Sequence, residues 1–371
     1  NLNLSTVKNM PKKDLKSYRD KIDQIDQKIL KLIQERASHA VSIGELKSKV
    51  SPSSSFYKPD RESKILRSII KSNIDGLLPD SKIRAIYKEL ISGCLSLEEI
   101  LKIAYLGPEG THSEAAVHNQ FGSQVVKIPS RTIDDVFFQL MHDEVNIGVV
   151  PVENSSEGVI NTTLNCLADS EDINIIGEIY LDIDHQLASG NKFDIKDAFA
   201  IASHPQALGQ CTKWIERNIG NIKRLEMPSS AVAAKYAKEN KNILCIVNSL
   251  AIEKYKLNLV KKNIQDFSEN KTRFLVIGKH SIERTGKDKT SFLIQTPNKP
   301  GSLMGVLKPF DKRKINLSKI ETRPSRGNIK SHDFFIDCEG HISDKKLSLA
   351  VNEIIDTGAI VRNFGSYPEY V

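Results

Sequence analysis

The first hundred residues carry apolar side chains at a spacing typical of a long helix. No proline occurs between Leu15 and Val50, and apolar residues recur there alternately three and four positions apart. This heptad repeat predicts one long α-helix whose apolar stripe packs against another helix. Two shorter helices are predicted, from about Asp60 to Ser72 and from Pro79 to near Leu101. The stripe consists of Leu15, Tyr18, Ile22, Ile25, Ile29, Leu32, Ile43, Leu46 and Val50.

The apolar stripe is interrupted by Arg36 and His39, at positions where the repeat calls for apolar residues. Polar residues at such positions either fix the register of a coiled coil or face a ligand. Arg36 and Lys47 lie about 20° apart around the helix and about 16 Å apart along it, so both can hold one small dianion. Arg19 lies about 25 Å from Arg36 and about 100° around the axis, and we expect it to reach the equivalent site of a partner chain.

After residue 102, apolar runs typical of buried strands alternate with amphipathic stretches, which is an α/β pattern. Four of these runs adjoin polar clusters, in residues 103–113, 147–164, 198–211 and 270–277. In open α/β sheets, ligands bind outside the carboxyl ends of the strands, where helix N-termini can hold an anion. These clusters therefore predict the walls of a small-molecule site, although each alone also fits an ordinary capped turn.

The last part of the chain, 289–371, predicts an α+β domain of order βαββαβ. We therefore divide the chain into three domains, 1–101, 102–285 and 286–371. The predicted strands are near Thr290–Thr296, Leu317–Glu321, Asp333–Cys338 and Val361–Ser366, and the predicted helices near Ser302–Phe310 and Asp344–Ile355.

Composition narrows the range of functions. The net charge of +7 comes from Lys and Arg spread along 371 residues, without aromatic RNA-binding or zinc-finger signatures, so we expect no nucleic acid partner. No apolar run approaches the roughly 18 residues of a membrane span, and residues 1–13 lack the apolar core of a signal peptide. The five cysteines are scattered and odd in number, which favours a reducing cytoplasm over disulfides or zinc. Cys211 and His204 together would suit a thiol nucleophile. The favoured interpretation is a buried cysteine that packs as a small apolar residue.

The N-terminal domain resembles the all-helical, three-helix chorismate mutase family over residues 12–101. The resemblance rests on the segments 19–22, 35–36, 44–47 and 60–62, which read Arg-Asp-Lys-Ile, Glu-Arg, Gly-Glu-Leu-Lys and Asp-Arg-Glu. The family rearranges chorismate to prephenate without a nucleophile or proton transfer. Its catalysis consists of restricting a dicarboxylate and stabilising charge that develops on an ether oxygen.

The resemblance implies roles for the cationic residues of this domain. Arg36 and Arg61, together with Arg19 from the partner chain, are expected to bind the carboxylates and the charge beside them. Lys47 is expected at a carboxylate and the ether oxygen, and Glu62 at the ring hydroxyl.

Two positions depart from well-known members of the mutase family. Cys94 stands where such members carry Ser, and Glu98 where some carry Gln and others Glu. Since a Glu can donate to the ether oxygen only when protonated, we expect mutase activity to fall as pH rises past neutrality. These departures leave open a dimer clamp that has lost mutase activity, and the heptad leaves open a simple coiled-coil dimerisation module.

The four polar clusters of the middle domain together resemble the prephenate dehydratase family over residues 102–279. The resemblance implies two α/β lobes around a cleft, like a periplasmic binding protein, and conversion of prephenate to phenylpyruvate by loss of carbon dioxide and water, without a metal or organic cofactor. It implies that Thr272 donates the proton and that Arg273 binds a carboxylate. Asn154, Ser203 and Gln210 are implied to orient the substrate, with Glu153, Thr111 and Ser113 as weaker candidates.

The C-terminal domain resembles the ACT module, which binds amino acids between two copies and favours a less active state. The resemblance rests on residues 297–303 and 321–324. Ser302 stands where Ala is usual and Thr322 where Ser is usual, and each added group costs about 1–3 kcal/mol in a tight site. We therefore expect feedback by L-phenylalanine that is weakened. The implied effector residues are Asn298, Gly301, Ser302, Leu303, Glu321, Thr322, Arg323 and Pro324.

The leading interpretation is a bifunctional chorismate mutase–prephenate dehydratase with an ACT domain, acting in the cytoplasm as a homodimer or higher homo-oligomer. Its partners would be chorismate, prephenate and the effector phenylalanine, with no nucleic acid and no membrane. A non-catalytic amino-acid sensor built from the two lobes and the ACT module remains the alternative from another class. Thr272 and the cationic residues of the helical domain argue against that sensor.

Overall fold

The computed structural model describes residues 12–50, 57–267, 269–297, 299–325 and 328–370. Its N-terminal segment consists of three helices, α1 (Lys12–Val50), α2 (Pro59–Ser72) and α3 (Asp80–Leu95). The long first helix predicted from the heptad repeat is confirmed. The third helix ends at Leu95 and not near Leu101, so that prediction was wrong, because Leu101 is buried beside the first strand instead of continuing the helical pattern.

The N-terminal half of α1 projects its apolar stripe into solvent. Ile22, Ile25 and Leu32 are each more than half exposed, whereas Ala40 and Gly44, further along the helix, are buried. A helix that leaves such a stripe uncovered leaves a large apolar surface in contact with water. Ile43 and Leu46, towards the C-terminal end, are exposed as well, so the described part of a single chain leaves the apolar stripe uncovered along α1.

The first of two α/β lobes is built on a sheet of order β2-β1-β3-β11-β5, to which the short β4 adds beside β3. Strands β1, β2 and β3 are parallel, and β11 is antiparallel to both β3 and β5. The elements are β1 (Lys102–Leu106), α4 (His112–Phe121), β2 (Val126–Ser130), α5 (Ile133–Met141), β3 (Ile147–Asn154), β4 (Gly158–Val159), α6 (Asn161–Asp169), β5 (Asn174–Asp182) and β11 (Lys271–Gly278).

The second lobe lies between β5 and β11 in the chain, so two connections join the lobes. Its sheet has the order β10-β6-β9-β7-β8, with a core rich in alanine where α9 packs on β7 and β9. The elements are β6 (Gln186–Ser189), β7 (Ala200–Ser203), α7 (Pro205–Gln210), α8 (Thr212–Asn218), β8 (Lys223–Glu226), α9 (Ser230–Glu239), β9 (Ile243–Val247), α10 (Ser249–Tyr255) and β10 (Asn258–Lys261).

A C-terminal module follows with the predicted order βαββαβ and an antiparallel sheet of order β13-β14-β12-β15. One face of this sheet is covered by its two helices, and the other joins the core of the first lobe through Phe335, Phe364 and Tyr367. At Gly365 a Cβ atom would lie 2.3 Å from the Ile175 carbonyl oxygen, so this close contact requires glycine. The elements are β12 (Asp288–Thr296), α11 (Ser302–Lys312), β13 (Leu317–Ser325), β14 (Asn328–Glu339), α12 (Lys345–Ile355) and β15 (Ile360–Pro368).

Candidate active sites

A cavity of about 250 Å³ lies among α1, α2 and the end of α3, and we call it the helical cavity. Four cationic side chains line it: Arg36 and Lys47 from α1, Arg61 from α2, and Lys58 just before α2. Arg36 and Lys47, eleven residues apart on α1, thus lie at one cavity. The apolar part of the wall comes from Ala40, Ile43 and other aliphatic residues. The predicted residues that line the helical cavity are Arg36, Lys47, Arg61, Glu62, Cys94 and Glu98.

Lys47 and Glu98 are linked across the helical cavity. The Lys47 Nζ atom donates to Glu98 Oε2 over 3.0 Å, and both side chains are largely removed from solvent. A Cβ atom at Gly44 would lie 3.3 Å from the Cα of Glu98, so a glycine there lets α1 approach the end of α3. The ion pair holds the Lys47 ammonium group at the wall of the cavity.

Among the carboxyl groups that line the helical cavity, Glu62 has a clearly shifted pKa. Burial raises the pKa of Glu62 to about 7, and the nearby Lys88 ammonium group opposes this shift. The amide of Gln120, from α4 of the first lobe, donates to Glu62 Oε1 over 3.3 Å. Glu62 therefore links the wall of the helical cavity to the first lobe.

Arg19 does not line the helical cavity of its own chain. It lies on the half of α1 whose stripe is exposed, and its side chain is exposed as well. The helix geometry that separates Arg19 from Arg36 is confirmed, whereas its reach to a partner chain stays a prediction.

A second cavity, of about 380 Å³, opens between the two lobes, and we call it the cleft. The first lobe contributes the ends of β3 and β11 and the start of α4, which follows a cis peptide bond between Gly107 and Pro108. The second lobe contributes α7 and the segment before α9, with Ser229 as the N-cap of α9. Of the sequence-predicted residues, Asn154, Gln210, Thr272, Thr111 and Ser113 line the cleft.

A hydrogen-bonded chain of side chains orients Thr272 in the cleft. Asn154 Nδ2 donates to Thr272 Oγ1 over 2.8 Å and to Asn270 Oδ1 over 3.0 Å, and its own Oδ1 accepts from the Ser156 backbone N–H. Because the Thr272 oxygen accepts from an amide, its hydroxyl proton is directed to another acceptor. The network therefore presents Thr272 as a proton donor.

The chain continues into the second lobe. Gln210 Oε1 accepts from Asn270 Nδ2 over 3.0 Å and lies 2.7 Å from His185 Nε2. Since an amide oxygen can only accept, His185 carries a hydrogen on Nε2. Three residues, Gln210, Asn270 and Asn154, thus connect the imidazole of His185 to the hydroxyl of Thr272 across both lobes.

Three histidines line the cleft, and none was a substrate-site candidate from the sequence. Burial lowers the pKa of His112 to about 3, aided by the neighbouring His185. Burial also lowers the pKa of His185, and the hydrogen bond that His185 donates to Gln210 opposes this shift. The third, His204, caps α7. Both buried imidazoles are therefore neutral at physiological pH and act as hydrogen-bonding groups and not as cations.

Ser203, which the family resemblance implied to orient the substrate, is not among the described residues that line the cleft. Ser203 is fully buried, and its Oγ donates to the Ile246 carbonyl oxygen over 2.7 Å. It lies at the end of β7, where it ties that strand to β9 outside the cleft. The next residue, His204, lines the cleft instead.

Arg273, which the resemblance implied to bind a carboxylate, is likewise not among the described residues that line the cleft. Successive side chains of a strand point to opposite faces, so Thr272 in the cleft places Arg273 on the far side of the sheet. There its Nε donates to Glu178 Oε2 over 2.9 Å, and its Nη atoms bond Asp337 and the Tyr367 hydroxyl. Arg273 is buried in an ionic cluster with the C-terminal module.

The predicted effector residues lie at two places in the C-terminal module. Gly301 adopts φ 84° at the N-cap of α11, and Ser302 Oγ donates to the Pro297 carbonyl oxygen over 2.6 Å. Leu303 is exposed on α11. The remaining described effector residues, Glu321, Thr322, Arg323 and Pro324, lie on β13, and Asn298 lies outside the described residues.

No helix in the described ranges is long and apolar enough to cross a membrane. Within the same ranges, no group of three or more His, Cys, Asp and Glu side chains is placed to hold a metal ion.

Two family models match separate parts of the chain, and full-length relatives match both parts together. A family model described as chorismate mutase type II matches residues 18–99, and one described as prephenate dehydratase matches residues 103–282. The bifunctional chorismate mutase/prephenate dehydratase of Stutzerimonas stutzeri is 40% identical over 360 residues, covering 96% of this chain and 98% of its own. That of Aquifex aeolicus is 40% identical over 359 residues, with the same coverage of both chains.

Solved structures match the part of the chain after the helices. A prephenate dehydratase from Arthrobacter aurescens in complex with L-Phe superposes with a TM-score of 0.67 at 29% identity, covering 72% of this chain and 90% of that one. The prephenate dehydratase of Staphylococcus aureus superposes with a TM-score of 0.60 at 29% identity, covering 72% and 100%. Since two relatives match at 40% identity over nearly their full lengths, the chain belongs to the bifunctional chorismate mutase/prephenate dehydratase family.

Proposed function

We propose that this chain catalyses both reactions of its family, with the rearrangement of chorismate to prephenate in the helical cavity and the conversion of prephenate to phenylpyruvate in the cleft. The observation that carries the proposal is the hydrogen bond from Asn154 to Thr272 in a cleft separate from a cavity lined by four cations. A sensor needs neither a directed proton donor nor a second, cationic cavity.

The helical cavity suits a pericyclic rearrangement. Arg36 and Arg61 would hold the carboxylates in the folded conformation that brings the two reacting carbons together, which lowers the entropic part of the barrier. Lys47 would donate to the ether oxygen, where negative charge develops as the C–O bond breaks. Its bond to Glu98 places that donor in advance.

The cleft suits an elimination with decarboxylation. The bond from the ring to the leaving carboxylate breaks, and its electron pair forms the new ring double bond. The ring hydroxyl leaves as its C–O bond breaks and takes the Thr272 proton, which gives water. The Asn154 amide stabilises the Thr272 oxygen while it is short of a proton, and solvent then restores the proton.

The substrate's carboxylates would meet neutral donors in the cleft. The N-termini of α4 and α9 face it with their caps, Thr111 and Ser229, and each helix has ten residues. Backbone N–H groups at a helix N-terminus favour an anion. Ser230 and Gln206 add further polar groups to the wall.

We extend the proposal to assembly and regulation. The exposed stripe of α1 would be covered by a second copy in a homodimer, which would bring Arg19 to the partner's helical cavity. The domains would be 1–101, 102–285 and 286–371, with phenylalanine bound by the C-terminal module as an ACT domain. The L-Phe complex of the Arthrobacter aurescens relative supports that effector, and Ser302 and Thr322 support weakened feedback. All five cysteines are thiols, as in a cytoplasmic protein.

Two variants test the division of labour. Arg36→Ala is expected to lower chorismate turnover by at least about a hundredfold while prephenate turnover stays within twofold. Thr272→Val is expected to give the opposite pattern, a loss of about 10²–10⁴ in prephenate turnover alone, whereas Thr272→Ser keeps most of it. If Arg36→Ala leaves chorismate turnover unchanged, the helices are only a dimer clamp.

A further inference from the structure

Strands β3 and β11 carry two pairs of residues that face opposite sides of one sheet. Thr272 lies opposite Asn154 in the strand register, and Arg273 lies opposite Glu153. The first pair faces the cleft, while each member of the second pair bonds the C-terminal module. Thr272 and Asn154, the pair proposed for the proton transfer, are therefore each next in sequence to a residue that contacts the C-terminal module.

The contact made by Arg273 is a fixed anchor. Glu178 accepts from Arg273 and, over 2.8 Å and 2.9 Å, from Lys289, and both carboxylate oxygens are thereby used. Asp337 accepts from Arg273 and from Ser291, and all these side chains are buried. A buried, fully hydrogen-bonded cluster of charges does not rearrange without leaving a charge unpaired. Arg273, one member of the second pair, therefore holds β11 to the C-terminal module.

The contact made by Glu153 is of another kind. Lys319 Nζ on β13 donates to Glu153 Oε2 over 2.7 Å, with 39% of the Glu153 side chain exposed. A partly exposed ion pair contributes little to stability and can be made and broken at small cost. The end of β3 is thus held to the module by an adjustable contact beside the fixed one.

The strand that carries Lys319 also carries the proposed effector segment. Lys319, Glu321 and Arg323 alternate along β13 with exposed residues and so lie on one face. Arg323 Nη1 donates to Asn165 Oδ1 over 2.9 Å, on α6, which follows the loop after β3. A shift of β13 would therefore act on both ends of the segment that contains Asn154.

We propose that Lys319 and Glu153 form the link through which the C-terminal module sets the position of Asn154 and thereby orients Thr272. Glu153 is then a positioning residue and not a substrate ligand. With β11 anchored at Arg273, movement of β13 displaces the end of β3 relative to β11 and changes the bond from Asn154 to Thr272. The link rests on the proposed dehydratase function, and its regulatory part rests on phenylalanine binding by the module.

The experiment compares single and paired substitutions in the full-length protein. Lys319→Met and Glu153→Gln are each expected to lower kcat for prephenate about threefold, with KM within twofold, which is the size of a partly exposed ion pair. Both are expected to remove most of the inhibition by phenylalanine. Lys314→Met is the matched control, since Lys314 forms an exposed ion pair with Asp311 in the same module and is expected to change neither.

Charge reversal separates a specific link from general damage. Glu153→Lys and Lys319→Glu are each expected to resemble the neutral variants, and the two together to restore both kcat and the response to phenylalanine. Lys319→Met behaving like Lys314→Met would overturn the link, as would a reversed pair no better than either single reversal.

Calorimetry with L-phenylalanine on the wild type keeps the link distinguishable from the proposed feedback. If phenylalanine does not bind, the proposed feedback fails, whereas the kcat values and their rescue still decide whether the link exists. If it binds Lys319→Met and no longer inhibits, the link carries the signal.

Discussion

The two cavities proposed as active sites differ in the charge of the side chains that line them. The helical cavity is lined by Arg36, Arg61 and Lys47, whereas no Arg or Lys is among the described residues that line the cleft. The reactions give a reason for the difference. Rearrangement keeps both carboxylates, so cations can hold them throughout. The cleft must release one carboxylate as neutral carbon dioxide, and a cation bound to that group would stabilise the substrate more than the transition state.

The cleft also shows that a cation close to the catalytic residue in sequence can serve another purpose. Arg273 follows Thr272 directly, yet it binds Glu178 and Asp337 behind the sheet. In the helical cavity the cations line the proposed substrate site, whereas beside the cleft Arg273 is part of the scaffold. Four predictions test this contrast, beginning with the largest expected effect.

Replacing Arg273 tests its role as scaffold. Arg273→Met leaves buried Asp337 without its cationic partner and Glu178 with only one, so we expect the free energy of unfolding to fall by about 3–5 kcal/mol. Urea denaturation measures this change, with Arg273→Lys as a control that keeps the charge. A loss below about 1 kcal/mol, together with a strongly raised KM for prephenate, would instead return Arg273 to substrate binding.

Glu62 gives the helical segment a distinctive dependence of stability on pH. Its pKa is raised from 4.5 to about 7 on folding, so between these values the folded chain keeps a proton that the unfolded chain loses. The free energy of unfolding should therefore fall as pH rises through this window, by about 1.4 kcal/mol per unit of pKa difference. Glu62→Gln is expected to remove this decline in urea denaturation from pH 5 to 8, whereas the exposed Glu35→Gln is expected to keep it.

Adding a cation to the cleft tests why it has none. Gln206 lines the cleft at the start of α7, and we expect Gln206→Lys to lower both KM and kcat for prephenate, the latter by about tenfold. Gln206→Met controls for the lost amide. An increase in kcat for the Lys variant would show that the neutral cleft is not required for decarboxylation.

The smallest expected effect concerns the ion pair between Lys47 and Glu98. Glu98→Gln keeps an oxygen that accepts from Lys47 Nζ, so we expect kcat for chorismate to fall by about a few-fold at most, measured as chorismate consumption. A loss as large as that of Arg36→Ala would mean that Glu98 acts on the substrate itself and does not only place Lys47.

Features repeated along the chain were predictable from the sequence. The heptad spacing gave the long α1, and the eleven-residue separation of Arg36 and Lys47 placed both at one cavity. Polar clusters at strand ends located the cleft, with Asn154, Gln210 and Thr272 in its wall. Periodicity and strand alternation are local rules, and they predict features that lie within one element or at its end.

The failures involve contacts between distant segments. The alternation of side chains along β11 already implied that Arg273 and Thr272 face opposite sides of the sheet. The family resemblance nevertheless implied a substrate role for both residues. By contrast, no local rule pairs Glu153 with Lys319, 166 residues later, or Glu62 with Gln120. The buried histidines His112 and His185 were missed for a similar reason, because their neutrality depends on packing between the two lobes.

The most direct test of two complementary active sites in one chain is phenylpyruvate formation from chorismate as the sole substrate, with and without L-phenylalanine. We predict that phenylpyruvate appears after a lag as prephenate accumulates, and that phenylalanine slows it only at high concentration. Phenylpyruvate from prephenate but not from chorismate would contradict the account, because the cationic helical cavity would then not be catalytic. Half-inhibition by micromolar phenylalanine would contradict the weakened feedback.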